Sequence, residues 1–169
     1  MSRTAEPEVA AVLESGVLPQ RPPTLAPDDE VIVAVWRQGV IGAVMTIWRD
    51  PDGDETATSD DDDWPFNVDI ETYEYVERAW HWRGTGGSDW PVPYGDRPSG
   101  NWPFLTGYAS GVPGATDLML WTGVAPRGIE RVRATMGDLM QECEVESLTG
   151  AFMVAFPYPG PEPSDLSGV

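Results

Sequence analysis

The pattern of hydrophobic and polar positions predicts short β-strands over most of the chain. Val31–Arg37 and Val40–Arg49 are rich in Val, Ile and Trp, and the intervening Gln38–Gly39 predicts a hairpin or a bulged bend. Val68–Trp82 alternates at first and then loses its alternation at Tyr73–Tyr75, which predicts a bulge or a break into two strands. Four C-terminal strands are also predicted: Leu118–Val124, Ile129–Met136, Leu139–Ser147 and Ala151–Tyr158.

The middle pair of C-terminal strands allows a prediction of register. Gly137–Asp138 is typical of a two-residue hairpin turn that needs positive φ. Such a turn places four pairs opposite one another: Met136 with Leu139, Val132 with Cys143, Arg133 with Glu142, and Arg131 with Glu144. Cys143 is then predicted to be an inward-facing, unreactive thiol.

The two ends of the chain are predicted to lie outside the main domain. Glu6–Glu14 has the composition of two helical turns, which are too short to be stable alone. Pro19–Asp29 contains four prolines and predicts an extended linker. We therefore expect residues 1–29 to be a flexible segment and linker, residues 30–158 to form one domain, and residues 159–169 to be a disordered tail.

A long Gly- and Pro-rich segment, Gly84–Thr116, predicts an ordered loop with one short strand near Phe104–Ala109. It is rich in aromatic residues, and exposed rings of this kind stack on sugars or bind proline-containing peptides. Under the alternative interpretation, these rings cover the hydrophobic core, because Trp is usually largely buried. The candidate ligand-binding residues are Trp82, Trp90, Tyr94 and Trp102.

Together these elements predict an all-β fold. Short strands, Gly- and Pro-rich turns and no long amphipathic helix favour a single β-sandwich of about seven strands, Ig-like or prealbumin-like, with one long Gly/Pro/Trp-rich loop. A small β-barrel is the alternative fold.

The net charge of the chain limits the classes of partner that it is expected to bind. The chain of 169 residues carries 28 acidic and 10 basic residues, a net charge of −18, and every basic residue is Arg. Nucleic acids and anionic membranes are bound mainly through Lys and Arg, so neither is an expected partner. The longest apolar stretches are too short to span a membrane, and the N-terminus lacks the pattern of a signal peptide, so a cytoplasmic location is predicted.

The acids are concentrated in one segment, Asp50–Asp63, which we call the acidic loop. Its opening, Asp-Pro-Asp-Gly-Asp, resembles the calcium loops of EF-hand and dockerin-like proteins. The resemblance implies Ca²⁺ as a cofactor, with ligands at Asp50, Asp52, Asp54, Thr56, Thr58 and Asp61. The sequence departs from these loops at the sixth position, where Glu55 replaces glycine. The alternative is a solvated acidic hairpin loop without metal.

Catalytic motifs are largely missing, and we identify no catalytic residue. Gly84–Asp89 begins like a dinucleotide-binding loop, but Asp89 stands in place of the third glycine. A phosphate-binding loop with Lys is excluded because the chain has no Lys. His81 lies between two Trp residues, a position typical of a structural histidine. The lack of a complete catalytic motif favours a protein that is not an enzyme.

Two segments, Glu77–Pro91 and Gly123–Pro157, resemble small uncharacterised β-rich proteins of high-GC bacteria. The second segment also resembles prealbumin-like modules in its Gly-x-Phe-x-Val strand before a Pro. The resemblance supports the β-sandwich and implies no activity. Three functions remain open: an acidic interaction module for a basic protein partner, a calcium-binding domain, and a carbohydrate- or small-ligand-binding domain.

Overall fold

The fold consists mainly of antiparallel β-structure. The structure, a computed structural model, describes residues 3–54, 56–58, 60–61, 64–100, 104–110, 118–157 and 165–168. Within these ranges it contains one helix and ten strands: α1 (Pro7–Ser15), β1 (Glu30–Gln38), β2 (Ile41–Arg49), β3 (Phe66–Val76), β4 (Ala79–Asp89), β5 (Phe104–Ser110), β6 (Leu118–Val124), β7 (Arg131–Met136), β8 (Leu139–Glu144), β9 (Ala151–Pro157) and β10 (Asp165–Gly168).

The largest sheet contains β1, β2, β3 and β4 in sequence order, with every pair antiparallel. The hairpin predicted near Gln38–Gly39 is confirmed: Gln38 pairs with Ile41, and Gly39 has a φ of 61°. Residues on alternate positions of these strands face opposite sides of the sheet. One side faces the main core, and the other is covered at one end by α1.

The loss of alternation near Tyr73 reflects both of the predicted causes. The register shifts between Thr72 and Tyr73, which marks a bulge, and the chain reverses after Val76. The reversal uses Glu77 and Arg78, which adopt φ values of 51° and 70°. Neither is a typical turn residue, so no local pattern indicates a turn at this position.

The predicted loop begins later than expected, because β4 continues to Asp89. Gly84, Gly86 and Gly87 pair in register with β3. At Gly87 a Cβ atom would lie 2.7 Å from both the carbonyl oxygen of Val68 and Oδ1 of Asp69. Glycine is therefore present because the strand passes close to β3 and to the Asp69 carboxylate. The strand predicted near Phe104–Ala109 is confirmed as β5.

The remaining strands form two three-stranded antiparallel sheets, ordered β5-β6-β9 and β10-β7-β8. The predicted β7–β8 register is confirmed at all four pairs, and Gly137 has a φ of 60°. Arg133 Nη2 lies 2.6 Å from Glu142 Oε1. Cys143 is half-buried, and burial raises the pKa of its thiol to about 11, so the thiol is protonated and unreactive at neutral pH.

The core is layered. Its largest cluster joins one side of the four-stranded sheet to Leu120 and Val124 of β6 and to Met153 and Ala155 of β9. Alternate residues of β9 point the other way: Val154 and Phe156 pack against Ala134 and Met136 of β7. Strand β9 is thus buried on both faces, which explains its nearly continuous apolar sequence.

The N-terminal segment differs from the prediction of a flexible end. The helix predicted at Glu6–Glu14 forms as α1 and buries Val12 and Leu13 against the four-stranded sheet. Gly42 makes room for it, because a Cβ atom there would lie 2.5 Å from Cδ2 of Leu13. Packing supplies the stability that so short a helix lacks alone. The linker is also anchored: Leu25 is buried, and its carbonyl oxygen accepts a hydrogen bond of 2.8 Å from Nη1 of Arg49.

Part of the C-terminal tail is also structured, contrary to the prediction of disorder. Residues 165–168 form β10, which pairs with β7 from Asp165 opposite Thr135 to Gly168 opposite Val132. β7 offers this edge because its other edge is already paired with β8. The unpaired N–H and C=O groups along a sheet edge can pair with a segment whose own residues have little β-propensity.

The alternative of a small barrel is wrong for the described part of the chain, where each of the three sheets keeps two edge strands. In the same residues, no helix is long and apolar enough to cross a membrane.

Candidate functional site

The acidic loop forms a series of turns that its own acids stabilise. Oδ1 of Asp50 accepts a hydrogen bond of 2.9 Å from the amide of Asp52. Oδ1 of Asp54 accepts bonds of 2.8 Å from the amide and from the hydroxyl of Thr56. Oδ2 of Asp61 accepts bonds of 2.8 and 2.9 Å from the amide and hydroxyl of Thr58. All six predicted calcium ligands therefore take part in local turns through their side chains or amides.

These hydrogen bonds account for the acidity of two loop carboxyls. Bonds from the amide and hydroxyl of Thr56 lower the pKa of Asp54, and the equivalent bonds from Thr58 lower the pKa of Asp61. Among the described residues, no three His, Cys, Asp or Glu side chains come close enough to hold a metal ion. Glu55, Asp62 and Asp63 lie outside the described residues. Calcium binding by the acidic loop stays a prediction.

The aromatic residues proposed to bind a ligand occupy different environments. Trp90 and Tyr94 belong to the main core, with exposed fractions of 0% and 9%. The carbonyl oxygen of Trp90 accepts a hydrogen bond from the indole of Trp64, and the hydroxyl of Tyr94 donates to the carbonyl oxygen of Pro22 at 2.9 Å. These two rings therefore cover the core, as the alternative interpretation has it. Trp82 is half-buried beside the α1 cluster, and Trp102 lies outside the described residues.

A different surface gathers acids into a concave site. A cavity of about 330 Å³ lies between α1, the linker and the outward side of β1, β2 and β3. We call it the acidic cleft. It is lined by five carboxylates and one arginine, which are Glu6, Glu8, Glu30, Asp69, Glu71 and Arg3. The remaining lining includes Val9, Pro19, Pro22 and Ile32, so the charges lie beside apolar walls.

Sheet register explains how three of these acids come together. Asp69 and Glu71 are two residues apart on β3, so both point to the outward side of the sheet. Asp69 pairs with Thr46 of β2, which pairs with Ile32 of β1; Glu30 lies two residues before Ile32 on the same side. On β4, Gly87 pairs with Asp69, and its missing side chain leaves room for the Asp69 carboxylate.

Two neighbouring acids of the cleft on β3 influence each other, with Asp69 exposed and Glu71 half-buried. Burial and the adjacent negative charge of Glu71 raise the pKa of Asp69. Tyr73 donates a hydrogen bond of 2.6 Å to Oε2 of Glu71. Burial and that bond raise the pKa of Tyr73 above its ordinary value, so its hydroxyl keeps its proton. A cation placed here would relieve the repulsion between Asp69 and Glu71.

The spacing of these acids favours an extended cation over a metal ion. Residues i and i+2 of a strand are about 7 Å apart, and neighbouring strands are about 4.8 Å apart. Calcium ligands must converge to about 2.3–2.6 Å from one ion. Among the described residues, these carboxylates do not form a group that could hold a metal ion.

The sequence did not reveal the acidic cleft, because its acids come from α1, β1 and β3 and lie far apart in the chain. Two of them, Glu6 and Glu8, were assigned to a flexible end. The alternation of Asp69 and Glu71 with Val68 and Ile70 was the available signal, because it indicates a strand with one acidic side.

His81 does not line the acidic cleft. His81 lies on β4 and pairs with Thr4 of the N-terminal segment. The resemblance to β-rich proteins of high-GC bacteria stays a prediction, and any function must be argued from the geometry above. Comparisons of this chain with protein-family models, with curated proteins and with solved structures find no match.

Proposed function

We propose that the protein is a non-enzymatic acidic interaction module that binds a basic protein partner through the acidic cleft. The observation that supports this function is the concave grouping of five carboxylates around a single arginine. Five negative charges and one positive charge give the lining a net formal charge of −4. A cytoplasmic location and a sandwich-like packing of the sheets are part of the same proposal.

The apolar walls make the cleft a better site for cations than an exposed acidic surface. Charges beside Val9, Pro19 and Ile32 are screened less by water than charges on an open loop. The raised pKa of Asp69 is consistent with this, since partial burial and the neighbouring charge of Glu71 both raise it. A basic side chain that enters the cleft places a positive charge beside these carboxylates and so stabilises their charged form.

The cleft also rests on a rigid support. Glu30, Asp69 and Glu71 lie on paired strands whose opposite side is buried in the main core, including Val31, Val68 and Ile70. Side chains on such strands are held at fixed separations, which lowers the ordering cost of binding. The acidic loop presents more acids, but their carboxylates accept local hydrogen bonds within turns.

Neutralising the cleft tests the proposal. The probe is a fluorescein-labelled peptide of alternating Arg and Ala residues, and its anisotropy reports binding. We compare the wild type with a cleft variant, Glu30→Gln with Asp69→Asn and Glu71→Gln. Partly exposed ion pairs contribute roughly 0.2–1 kcal/mol each, so we expect the cleft variant to bind about tenfold more weakly.

A matched loop variant, Asp50→Asn with Asp52→Asn and Asp54→Asn, removes the same charge from another place. Asparagine keeps an oxygen that accepts the turn hydrogen bonds, so the acidic loop retains its fold. We expect this variant to bind nearly as well as the wild type. Equal losses in both variants would mean that only overall charge attracts the probe, and the proposal would then be wrong.

A further inference from the structure

The first residues of the chain form a separate layer on the four-stranded sheet. We call residues 3–15 the N-terminal arm. Its start pairs with the edge of β4: the amide of Ala5 donates to the carbonyl oxygen of Trp80 at 2.8 Å. The amide of Trp82 donates to the carbonyl oxygen of Arg3, also at 2.8 Å. Helix α1 follows this short strand and packs on β1 and β2.

Helix α1 is held on the sheet by one face and by its C-terminal end. Val12 and Leu13 are its buried residues, and Leu13 fills the space beside Gly42. Nη1 of Arg37 donates to the carbonyl oxygens of Leu13 and Glu14 at 3.3 and 3.4 Å. These carbonyls lack partners inside the helix, and the positive charge also suits the negative end of the helix dipole. The contacts that keep α1 in place therefore come from the sheet.

The connection after α1 has the features of a hinge with a fixed base. Gly16 adopts a φ of 69°, and the next residue, Val17, is 69% exposed. The chain is anchored a few residues later. Nε of Arg21 lies 2.9 Å from Oε1 of Glu146, and the hydroxyl of Tyr94 donates to the carbonyl oxygen of the residue after Arg21 at 2.9 Å. Rotation at Gly16 and Val17 can therefore move the arm without releasing the linker.

The arm covers an apolar part of the sheet that is separate from the main core. Its buried residues share a cluster with Ile32, Val44, Tyr73 and Trp80. Tyr73 and Trp80 are 3% and 1% exposed while the arm is in place. No arm residue belongs to the main core cluster in the part of the chain that the structure describes. Opening of the arm breaks only the smaller set of contacts, so it requires less free energy than unfolding of the whole chain.

We propose that the N-terminal arm is a strap that opens at Gly16 and Val17 as one unit, while the three sheets stay folded and the linker stays anchored. The open state exposes Tyr73 and Trp80 and frees the edge of β4 for another extended segment. It also removes the wall of the acidic cleft that the arm contributes. The strap does not depend on the proposed function, because all of its contacts lie within the chain.

Amide hydrogen exchange of the full chain, followed by NMR, tests whether the arm opens as one unit. The amides of Ala5, Ala10 and Gly16 report the arm, and that of Trp82 reports the sheet, since it is bonded to the arm. We expect these four amides to share one protection factor, about tenfold or more below that of the amides pairing β2 with β3. Arm amides as well protected as those of β2 would overturn the proposal.

Two matched substitutions separate opening of the arm from general destabilisation. Leu13→Ala removes the side chain that fills the space beside Gly42, so it should lower the protection of the four amides by a common factor of about ten or more. Leu25→Ala, the control, makes the same change at a buried residue beyond the anchor and should leave the protection of the arm unchanged. A loss confined to α1, with Trp82 unaffected, would contradict opening as one unit.

A disulfide that locks the arm gives the opposite result. Thr4 and His81 face each other between the two hydrogen bonds to β4, as a non-hydrogen-bonded pair. The Cα atoms of such a pair are about 4.5 Å apart, within the range of a disulfide. In Thr4→Cys with His81→Cys, oxidation should raise the protection of Ala10 and Trp82 about tenfold over the reduced form of the same protein. Equal protection of Ala10 in both forms would show that α1 opens separately, and the proposal would be wrong.

Discussion

Glu146 illustrates how a single buried acid organises the chain between β8 and β9. It is 6% exposed, and its carboxylate accepts hydrogen bonds from the amides of Leu148 and Thr149 at 2.8 and 2.6 Å. The hydroxyl of Thr149 donates at 2.6 Å, and Nε of Arg21 lies 2.9 Å from Oε1. Burial alone would raise the pKa of Glu146, but these hydrogen bonds and Arg21 outweigh it and lower the pKa.

The substitution Glu146→Gln removes this carboxylate while keeping its shape. We expect it to lower the free energy of unfolding by about 2–4 kcal/mol at pH 7, because the half-buried Arg21 and two amides lose a charged, buried acceptor. The folded-state pKa lies below the unfolded value of about 4.5, so the stabilisation is present above that pH. It is lost as the pH falls through the folded-state pKa.

Urea unfolding at a series of pH values from 7 to 3 tests this prediction. The difference in the free energy of unfolding between the wild type and Glu146→Gln should become smaller towards pH 3. Glu142→Gln serves as the control, because its pair with Arg133 is partly exposed and contributes under about 1 kcal/mol. A gap that stays constant with pH would show that the charge of Glu146 does not stabilise the fold.

Residue contacts were predictable where one turn determined them. The two-residue turn at Gly137 fixed the pairing of Arg133 with Glu142 and of Val132 with Cys143. The contacts of Arg97 were not predictable. It donates to the carbonyl oxygens of Ala125, Pro126, Ile129 and Ser147, across 28 to 50 residues of sequence. No local pattern marks such a set of acceptors.

At the scale of elements, two of the hairpins with two-residue turns, β3–β4 and β7–β8, differ in how well their turn residues suit them. The β7–β8 turn uses Gly137, which adopts positive φ without strain. The β3–β4 turn uses Glu77 and Arg78, both at positive φ. The first turn was predicted and the second was missed for the same physical reason, because only the first has residues that prefer the required backbone conformation.

Replacing the strained turn by Glu77→Asn with Arg78→Gly should stabilise the protein. An ordinary L-residue in the left-handed region costs roughly 1–2 kcal/mol, which Asn and Gly largely avoid. We expect the free energy of unfolding to rise by about 1–2 kcal/mol, measured by urea denaturation. The control, Glu77→Ala with Arg78→Ala, removes the same charges and keeps the strain, so it should not gain stability. An equal gain in both variants would assign the effect to charge.

The elements that the sequence placed wrongly are those whose stability comes from elsewhere. Helix α1 depends on Gly42 and Trp80 of other strands, β10 depends on the edge of β7, and the glycine-rich end of β4 depends on β3. Local propensity could not predict them, since tertiary contacts supply what their own residues lack.

At the scale of the molecule, the net charge of −18 has several structural roles. Acids on β8 pair with Arg133, acids in the acidic loop stabilise turns, and Glu146 fixes a connection. The acids of the acidic cleft differ, because Asp69 and Glu71 repel each other next to apolar walls. A raised pKa of Asp69 means that its charge opposes folding at neutral pH, so Asp69 is retained at a cost in stability.

The loss of stability can be measured by varying the salt concentration and by removing the charges. We expect the melting temperature of the wild type to rise between about 10 and 300 mM NaCl, because salt screens like charges separated by roughly 10 Å or more. The cleft variant and the loop variant each remove three negative charges, so both have a net charge of −15 (−18 + 3). At low salt the cleft variant should melt several degrees higher than the loop variant, because it removes the repulsion between Asp69 and Glu71, whereas the loop variant removes charged acceptors of turn hydrogen bonds. A cleft variant that melts below the wild type would show that these carboxylates stabilise the fold, and a binding role would then no longer be needed to explain them.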